Sequence, residues 1–538
     1  MRDTTKRFIR GAAVMALSSL FMRTVAVFFN AAVSKRIGAE GMGLFSLVMS
    51  VWSFAVTLAT SGVNLAVTRG VSEKLATGDE KGARRVLFHC LLYAAFFGTL
   101  TTVVLLLFAR PLGVSFLGDA RTVPSLRLLA VSMLPLALSN VLSGYFIAAR
   151  KVSRNAIAGL FEQFLRICAV TLLLLQLLPR GVTYACIALV GGGVVSEVGS
   201  FLFYLAAWLC SCGRADRETG SRENASSPAD CRIFSQICAV AMPIAFSAYV
   251  RSGLLTAEHA LIPPSIVKSG RTRAQALADY GLLQGMALPL VLYPTALLYA
   301  VSGMLIPEFA ERAARGEAEG VRRLCGKVLL YTSLFSFGCG VLLFTFSREL
   351  GLLIYRSWEV GDYILALSPV LPVMFADHVT DCMLKGLGEQ VWIMWVNILD
   401  SVLSILLVML LLPKMGAAGY ALVIVLAEIL NFSLSFGRLL KKAGYRPHLS
   451  SVALPAAACL PAFLLTRLLL PMDAASATVF WTVQRMLFCL CVYTLTVFLL
   501  FALQKAFARR KGKSPLCLFA KKQKTSGASA EAPRPVLR

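Results

Sequence analysis

Charged side chains inside apolar segments are the residues of this sequence that could do chemistry. Glu162 and Arg166 lie four residues apart, acid first, in an apolar run over 156–178, and this spacing favours an ion pair on one helix face. Arg23 has no acidic residue in its own apolar segment. An ionisable group at bilayer depth costs about 2.5–3.5 kcal/mol, so each needs a partner or a function. We expect Arg23 to face a wet cavity or an acid on another helix. We expect the Glu162–Arg166 pair to be structural, with a charged cavity wall as the alternative.

Four more acidic residues lie in apolar segments and are candidates for a cavity or for ion coupling: Glu197, Glu258, Asp377 and Asp381. Asp377 and Asp381 are one helical turn apart, and like charges repel, so they would share a proton or a cation or reach water. Because Asp381 lies near a predicted cytoplasmic end, we expect water. Glu197 lies among small residues that allow close packing or entry of solvent. Glu258 lies seven residues after Arg251 and shares its helix face.

Glycine and proline cluster in one apolar segment, YGLLQGMALPLVLYPTALLYAV. Gly281 and Gly285 would let another helix approach closely. Pro289 and Pro294 would remove backbone hydrogen bonds and bend the helix, as is common around transporter cavities.

Composition identifies the class of protein. Of the 538 residues, 57% are hydrophobic and 15% are charged, and apolar runs long enough to cross about 30 Å of hydrocarbon recur along the chain. The net charge of +25 is carried mostly by short loops and the tail, which is the pattern of cytoplasmic loops and not of nucleic-acid binding. The sequence has no phosphate-binding loop, metal-ligand spacing or nucleophile motif. We therefore expect an all-α polytopic membrane protein that needs no cofactor and is no enzyme.

The order of the segments predicts about fourteen transmembrane helices. Two six-helix lobes, 1–209 and 236–440, would surround a central cavity, with a cytoplasmic linker at 210–235 between them. Two more helices would follow at 441–503, and 504–538 would form a basic, disordered cytoplasmic tail. The distribution of Lys and Arg predicts that both termini are cytoplasmic. Two equal bundles suit transport by alternating access.

Several blocks of the sequence resemble a known family: RIGAEGMGLFSLVMSV (36–51), SGVNLAVTRGVSEKLATGD (61–79), GYFIAARKVSRNAIAGLFEQFLRI (144–167) and MGAAGYALVIVLAEIL (415–430). Together with the segments around 242–311 and 384–390, they resemble the polysaccharide-flippase branch of the MOP transporter superfamily, and within it the sporulation proteins. The resemblance covers about residues 8–445.

This resemblance implies movement of a lipid-linked sugar precursor, such as undecaprenyl-pyrophosphate carrying peptidoglycan units, from the inner to the outer leaflet of the plasma membrane. It implies that Arg23, Arg69 and Arg251 bind the pyrophosphate headgroup and that the last two helices hold the lipid tail. It also implies a role in peptidoglycan or polysaccharide assembly, beside a glycan polymerase, and coupling to a monovalent cation, a proton or the membrane potential. The sequence departs from lipid II flippases in span eight, which lacks their cavity arginine.

Two other functions fit parts of the sequence. A cation-coupled exporter of small drugs would need a cavity dominated by acids, whereas the buried charges here are mixed. A scaffold for envelope synthesis that transports nothing would leave the cavity without a function. The sequence does not identify the sugar, the ion, or a role in growth or in sporulation.

Overall fold

The computed structural model describes residues 2–60, 62–149, 151–218, 229–470 and 479–510. Within these ranges the regular structure is helical and no β-strand occurs, which confirms the predicted all-α fold. Long apolar segments fold as helices in hydrocarbon because a helix satisfies every backbone N–H and C=O internally.

The first half of the chain contains six helices: α1 (Arg2–Thr60), α2 (Val63–Ala76), α3 (Glu80–Pro111), α4 (Val123–Ala148), α5 (Val152–Leu177) and α6 (Val182–Glu218). The second half contains nine: α7 (Ala229–Val267), α8 (Arg273–Tyr280), α9 (Leu288–Val291), α10 (Thr295–Ala314), α11 (Ala318–Leu350), α12 (Trp358–Leu367), α13 (Leu371–Gly386), α14 (Gln390–Met415) and α15 (Ala417–Ala443). A C-terminal pair follows: α16 (Ser450–Leu469) and α17 (Val479–Arg510).

Eleven helical segments of the described ranges are long and apolar enough to cross a bilayer, so the chain is a multi-pass membrane protein. One of them, Phe21–Thr60, is 40 residues long and contains parts of two predicted spans. Gly38 interrupts it with a φ of 74°, a backbone conformation that glycine adopts without strain. The count of fourteen spans stays a prediction.

Two predicted boundaries differ from the observed helix ends. α6 continues to Glu218 and α7 begins at Ala229, so helices extend into the predicted linker from both sides, and 219–228 lie outside the described residues. α17 continues to Arg510, so the first residues of the predicted tail are helical, and 511–538 lie outside the described residues. The division into two lobes stays a prediction.

The two halves of the chain meet mainly through α1. In the first half α3 packs against α4, and α6 packs against α4 and α5. In the second half α14 packs against α7 and α15, and α13 against α11 and α15. α1 contacts α7, α8 and the π-helical turn Gly281–Ala287 that joins α8 to α9. Side chains of α1 are therefore placed to line whatever space lies between the halves.

A buried ion pair and an apolar cluster join the C-terminal helix pair to α11. Phe346 of α11, Ala462 of α16 and Tyr493 of α17 belong to one buried cluster. Beside it, Glu349 of α11 lies 3.0 Å from Arg485 of α17, and these residues are only 2% and 9% exposed. A buried pair is costly to break because the remaining charge is left without compensation.

Breaking this pair should destabilise the protein strongly. We expect Arg485→Met to lower the free energy of unfolding by about 3–5 kcal/mol, since it leaves the Glu349 carboxylate buried and unpaired. The double variant Glu349→Leu/Arg485→Met should recover most of the loss, because both charges are then gone. Thermal unfolding in detergent measures both effects.

Arg348→Met is the matched control. Arg348 is adjacent in α11 and pairs with Asp362 at 3.0 Å, but both side chains are 57% exposed, and exposed pairs contribute about 1 kcal/mol or less. Equal destabilisation by Arg348→Met and Arg485→Met would contradict a special contribution from the buried pair.

Candidate functional site

A cavity of about 370 Å³ lies between the two halves of the chain. It is lined by α1 on both sides of Gly38, by α7, and by the α8–α9 region. Ser46, Ser50 and Ser53 recur on one face of α1, while His259 and Gln284 line it from the second half. The cavity thus has polar walls contributed by both halves.

One end of the helix bundle is closed by backbone contact between the halves. We call this region, formed by residues 38–43, 117–122 and 270–281, the closed end. A Cβ atom built on Gly43 would lie 1.9 Å from the Leu277 carbonyl oxygen, and one on Gly281 would lie 2.1 Å from that of Ala39. Only glycine permits this approach, as predicted for Gly281. Gly285 is looser, since its Cβ would lie 3.2 Å from Met42.

Ion pairs add to the contact at the closed end. Arg121 lies 2.8 Å from Glu40 and 2.9 Å from Asp119. Arg273, from the second half, lies 4.0 Å from Asp119. Partial burial alone would raise the pKa of Asp119, but hydrogen bonds and charge from Arg121, with a contribution from Arg273, hold it below its usual value. Asp119 therefore stays ionised into the acidic range, and the pair is lost only when the pH falls through this lowered pKa.

The helix that the sequence marks with glycine and proline, for which a bend is predicted, is interrupted in the structure. It changes from α8 to a π-helical turn at Gly281–Ala287, and residues 292–294 form turns with hydrogen bonds between residues three apart before α10 begins. Pro289 lies at the start of the short α9. Both changes leave backbone carbonyl groups without regular helical partners.

Side chains of α1 bond to this broken region, and Arg23 is one of them. The Arg23 Nη2 donates to the Leu292 carbonyl oxygen at 3.1 Å, and the Asn30 Nδ2 donates to that of Gly285 at 3.0 Å. Thr24 Oγ1 lies 2.7 Å from the Tyr293 hydroxyl. Arg23 therefore faces the second half of the protein, at the interruption of the helix between α8 and α10.

The other two predicted headgroup arginines lie elsewhere. The Arg69 Nε pairs with Glu73 at 2.8 Å, and their side chains are 65% and 64% exposed. Arg251 is exposed and interacts electrostatically with Asp377, Asp381 and Asp400. The structure does not bring the three arginines into one cluster.

A group of carboxylates lies inside the second half of the chain. Asp377 is 8% exposed and interacts electrostatically with Asp381, Asp400 and Glu428. Asp381 accepts a hydrogen bond from Ser435 at 3.1 Å. The expected contact of Asp377 with cytoplasmic water is thus replaced by packing between helices. Glu258 is 9% exposed and interacts with Asp400. No role was predicted for Asp400 and Glu428, because single acids far apart along the chain carry no spacing signal.

Glu197 lies in a separate group of charges in the first half. Arg166 pairs with Glu162 at 3.0 Å and with Glu197 at 3.6 Å, and its Nε donates to Ser196 at 3.3 Å. This group joins α5 to α6, which suits the structural role expected for the Glu162–Arg166 pair. It separates Glu197 from the carboxylates of the second half.

A family model described as polysaccharide biosynthesis protein matches residues 8–313, which is more than half of the chain. The chain belongs to this family.

Three similar proteins support the fold of this polysaccharide biosynthesis protein. Stage V sporulation protein B of Bacillus subtilis (strain 168) is 24% identical over 427 residues, covering 79% of this chain and 82% of the relative. A solved structure of the lipid II flippase MurJ in an inward closed conformation superposes with a TM-score of 0.69 at 13% identity, covering 92% of this chain and 99% of the other. A multidrug resistance MATE transporter of the MOP superfamily, facing inward, gives a TM-score of 0.63 at 16% identity, covering 80% and 99%. The predicted family is confirmed by the family model, and the two solved structures, a flippase and a transporter by name, share the fold of this chain.

The glycine contact at the closed end gives a direct prediction. Gly281→Val should force the halves of this polysaccharide biosynthesis protein apart at that end, because a Cβ would overlap the Ala39 carbonyl oxygen. Double electron–electron resonance between spin labels at positions 115 and 268, both exposed, should give a longer distance in Gly281→Val than in the parent protein.

Gly193→Val is the control, since a Cβ at this helical position has no atom within 4 Å, and it should leave the distance unchanged. An unchanged distance in Gly281→Val would show that the contact does not hold the halves together.

Proposed function

We propose that this protein is a flippase that moves a lipid-linked sugar precursor from the inner to the outer leaflet of the plasma membrane by alternating access. The observation that carries the proposal is a cavity between two halves that is closed at one end by glycine contacts, with Arg23 of one half on the broken helix of the other. The family and the likeness to a lipid II flippase support the substrate class. The excess of Lys and Arg in alternate loops puts both termini in the cytoplasm, and the closed end then faces outward.

The proposed substrate is an undecaprenyl-pyrophosphate glycan of peptidoglycan or polysaccharide assembly, as in the cell wall or the spore cortex. A pyrophosphate in a low-dielectric cavity needs a cationic partner, and a guanidinium provides paired donors for its oxygens. We assign this role first to Arg23 and then to Arg251, whereas Arg69 is paired at an exposed site. Translocation changes no covalent bond, so no catalytic group is required. A glycan polymerase would be the partner that consumes the delivered precursor.

Arg23 has two roles in this proposal, which substitutions can separate. Arg23→Ala removes both the charge and the bond to Leu292, while Arg23→Gln keeps a donor and removes the charge. If the charge binds the headgroup, both variants should slow translocation of fluorescent lipid II in proteoliposomes by about tenfold or more, the loss of one charge-assisted hydrogen bond of about 1.5–3 kcal/mol.

Arg180→Ala, at an exposed position, is the matched control and should translocate lipid II at the parent rate. Full activity of Arg23→Gln would assign Arg23 to the helix break alone. No movement in the parent protein, with gradients and potential both tried, would reject this substrate. Transport of cationic dyes would then test the drug exporter. Loss of function in surface-loop variants, with no effect of cavity variants, would point to the scaffold.

We also propose that the carboxylates of the second half couple transport to an ion. Asp377, Asp381, Asp400, Glu428 and Glu258 are five acids with Arg251 as the cation that acts on several of them, so their mutual repulsion favours uptake of a proton or a monovalent cation. Glu197 is excluded by its pairing with Arg166.

Asp377→Asn should therefore abolish the stimulation of translocation by an imposed proton or sodium gradient. Slow movement of lipid II that does not depend on the gradient should remain. The measurement is the rate of lipid II movement with and without each gradient. Glu73→Gln is the control, because Glu73 is an exposed carboxylate in a surface pair. Stimulation that survives in Asp377→Asn would remove this residue from coupling.

A further inference from the structure

The lining of the cavity combines apolar side chains, such as those of Met42, Phe45 and Leu255, with uncharged polar ones. Hydroxyl groups come from Ser46, Ser50 and Ser53 of α1 and from Thr256 of α7, and amides come from Asn30 and Gln284. Among the described residues that line it, none is Asp, Glu, Lys or Arg. A pyrophosphate or a charged peptide would be bound here without a counter-charge, which is unfavourable in a low-dielectric site.

Each of the larger polar side chains uses one atom for the fold. Gln284 accepts a hydrogen bond from the Tyr420 hydroxyl through its Oε1 at 3.2 Å, and His259 Nδ1 lies 3.2 Å from the Tyr280 hydroxyl. Asn30 donates through its Nδ2 to the Gly285 carbonyl. Among the described residues, the Gln284 amide nitrogen, the His259 Nε2 and the Asn30 Oδ1 keep no such bond. The side chains are fixed in place while a donor or an acceptor of each remains for a ligand.

The hydroxyl groups add acceptors to this set. Ser50 donates to the Leu47 carbonyl at 2.7 Å, and Thr256 donates to those of Ser50 and Ser252 at 3.1 and 2.9 Å. Since their protons are used by the backbone, these oxygens can take part in a further hydrogen bond only as acceptors. Fixed donors and acceptors without charge, set among apolar side chains, match a sugar, which presents both hydroxyl groups and apolar C–H faces.

We propose that the cavity is a subsite for the uncharged sugar of the lipid-linked substrate, which is held by Gln284, His259, Asn30 and the α1 serines. The proposal rests on the proposed flippase function and makes it more specific, because it assigns the sugar and not a charged peptide to the region between Arg23 and the closed end. The cavity volume of about 370 Å³ lies within the range of about 300–1,000 Å³ in which small ligands bind.

The position of Arg23 on α1 fits a substrate that binds with its pyrophosphate at Arg23 and its sugar toward the closed end. Arg23 and Asn30 are seven residues apart on α1, which is about 10 Å along a helix at 1.5 Å per residue. A pyrophosphate at Arg23 would therefore place its attached sugar beside Asn30 and Gln284, toward the closed end.

Soluble probes test the subsite without requiring transport. We would titrate the purified full chain in detergent with chitobiose, inorganic pyrophosphate or D-alanyl-D-alanine, using saturation-transfer NMR. The parent should bind chitobiose and pyrophosphate. Gln284→Leu should weaken chitobiose about 3- to 10-fold, as expected for one or two lost hydrogen bonds, and leave pyrophosphate binding unchanged.

Two more variants keep the test decisive if Gln284→Leu is damaged by losing its bond to Tyr420. Ser53→Phe fills the cavity without removing a hydrogen bond of the fold and should abolish chitobiose binding. Gln176→Leu, at an exposed position of α5, is the matched control and should bind chitobiose like the parent.

The outcomes separate this inference from the proposed function. Chitobiose binding that survives in Ser53→Phe, no chitobiose binding in the parent, or D-alanyl-D-alanine as the better ligand would overturn the sugar subsite, even if lipid II is translocated. Chitobiose binding that depends on Gln284 and Ser53, with no translocation of any lipid-linked sugar, would support the subsite and reject the flippase.

Discussion

The break in the helix from α8 to α10 is the constraint on which the arrangement of the two halves depends. Backbone groups released at membrane depth must be bonded by protein, since hydrocarbon offers no partner. Here Thr295 donates to the Leu292 carbonyl oxygen from the same helix, and Arg23 and Asn30 of α1 donate to the carbonyl oxygens of Leu292 and Gly285. Because these side chains belong to the other half, the same bonds that satisfy the break also position the walls of the cavity.

Glycine contacts and polar contacts divide the interface between the halves into two kinds of surface. At Gly43 and Gly281 the backbones touch, and such a contact is either made or lost because packed interiors have little compressibility. Around the interrupted helix the contacts between the halves are hydrogen bonds from Arg23 and Asn30 to backbone carbonyl oxygens, which a ligand can exchange for its own. An interface of this composition suits two discrete arrangements better than a continuous motion.

The sequence predicted the fold because hydropathy alone requires helices in a membrane, and it predicted the broken helix because Gly281, Gly285, Pro289 and Pro294 each have a local mechanical effect. For Arg23 it predicted a wet cavity or an acid on another helix, whereas the observed bond is to the backbone carbonyl group of Leu292. The partner of a side chain is set by tertiary packing, which no local pattern reports.

For the same reason the sequence did not predict which charged residues, distant along the chain, lie together in the fold. Glu197 and Asp377 look alike as single acids in apolar segments, yet one pairs with Arg166 and the other joins a group of carboxylates. Asp400 and Glu428 join this group only because α14 and α15 pack beside α13. The Glu162–Arg166 pair was predictable because its spacing is local.

The buried pair of Glu349 and Arg485 has a consequence for how the chain enters the membrane. Arg485 lies in the second turn of α17, whose other charged residues lie in its last two turns, and an arginine within an apolar segment opposes insertion, by about 2.5–3.5 kcal/mol at the helix centre. Its counter-charge is on α11, which is synthesised more than a hundred residues earlier. Biogenesis of the last hairpin is thereby linked to an earlier helix. A nascent chain that has lost α11 would deliver α17 to the bilayer with an uncompensated charge, and quality-control proteases could recognise it by that defect.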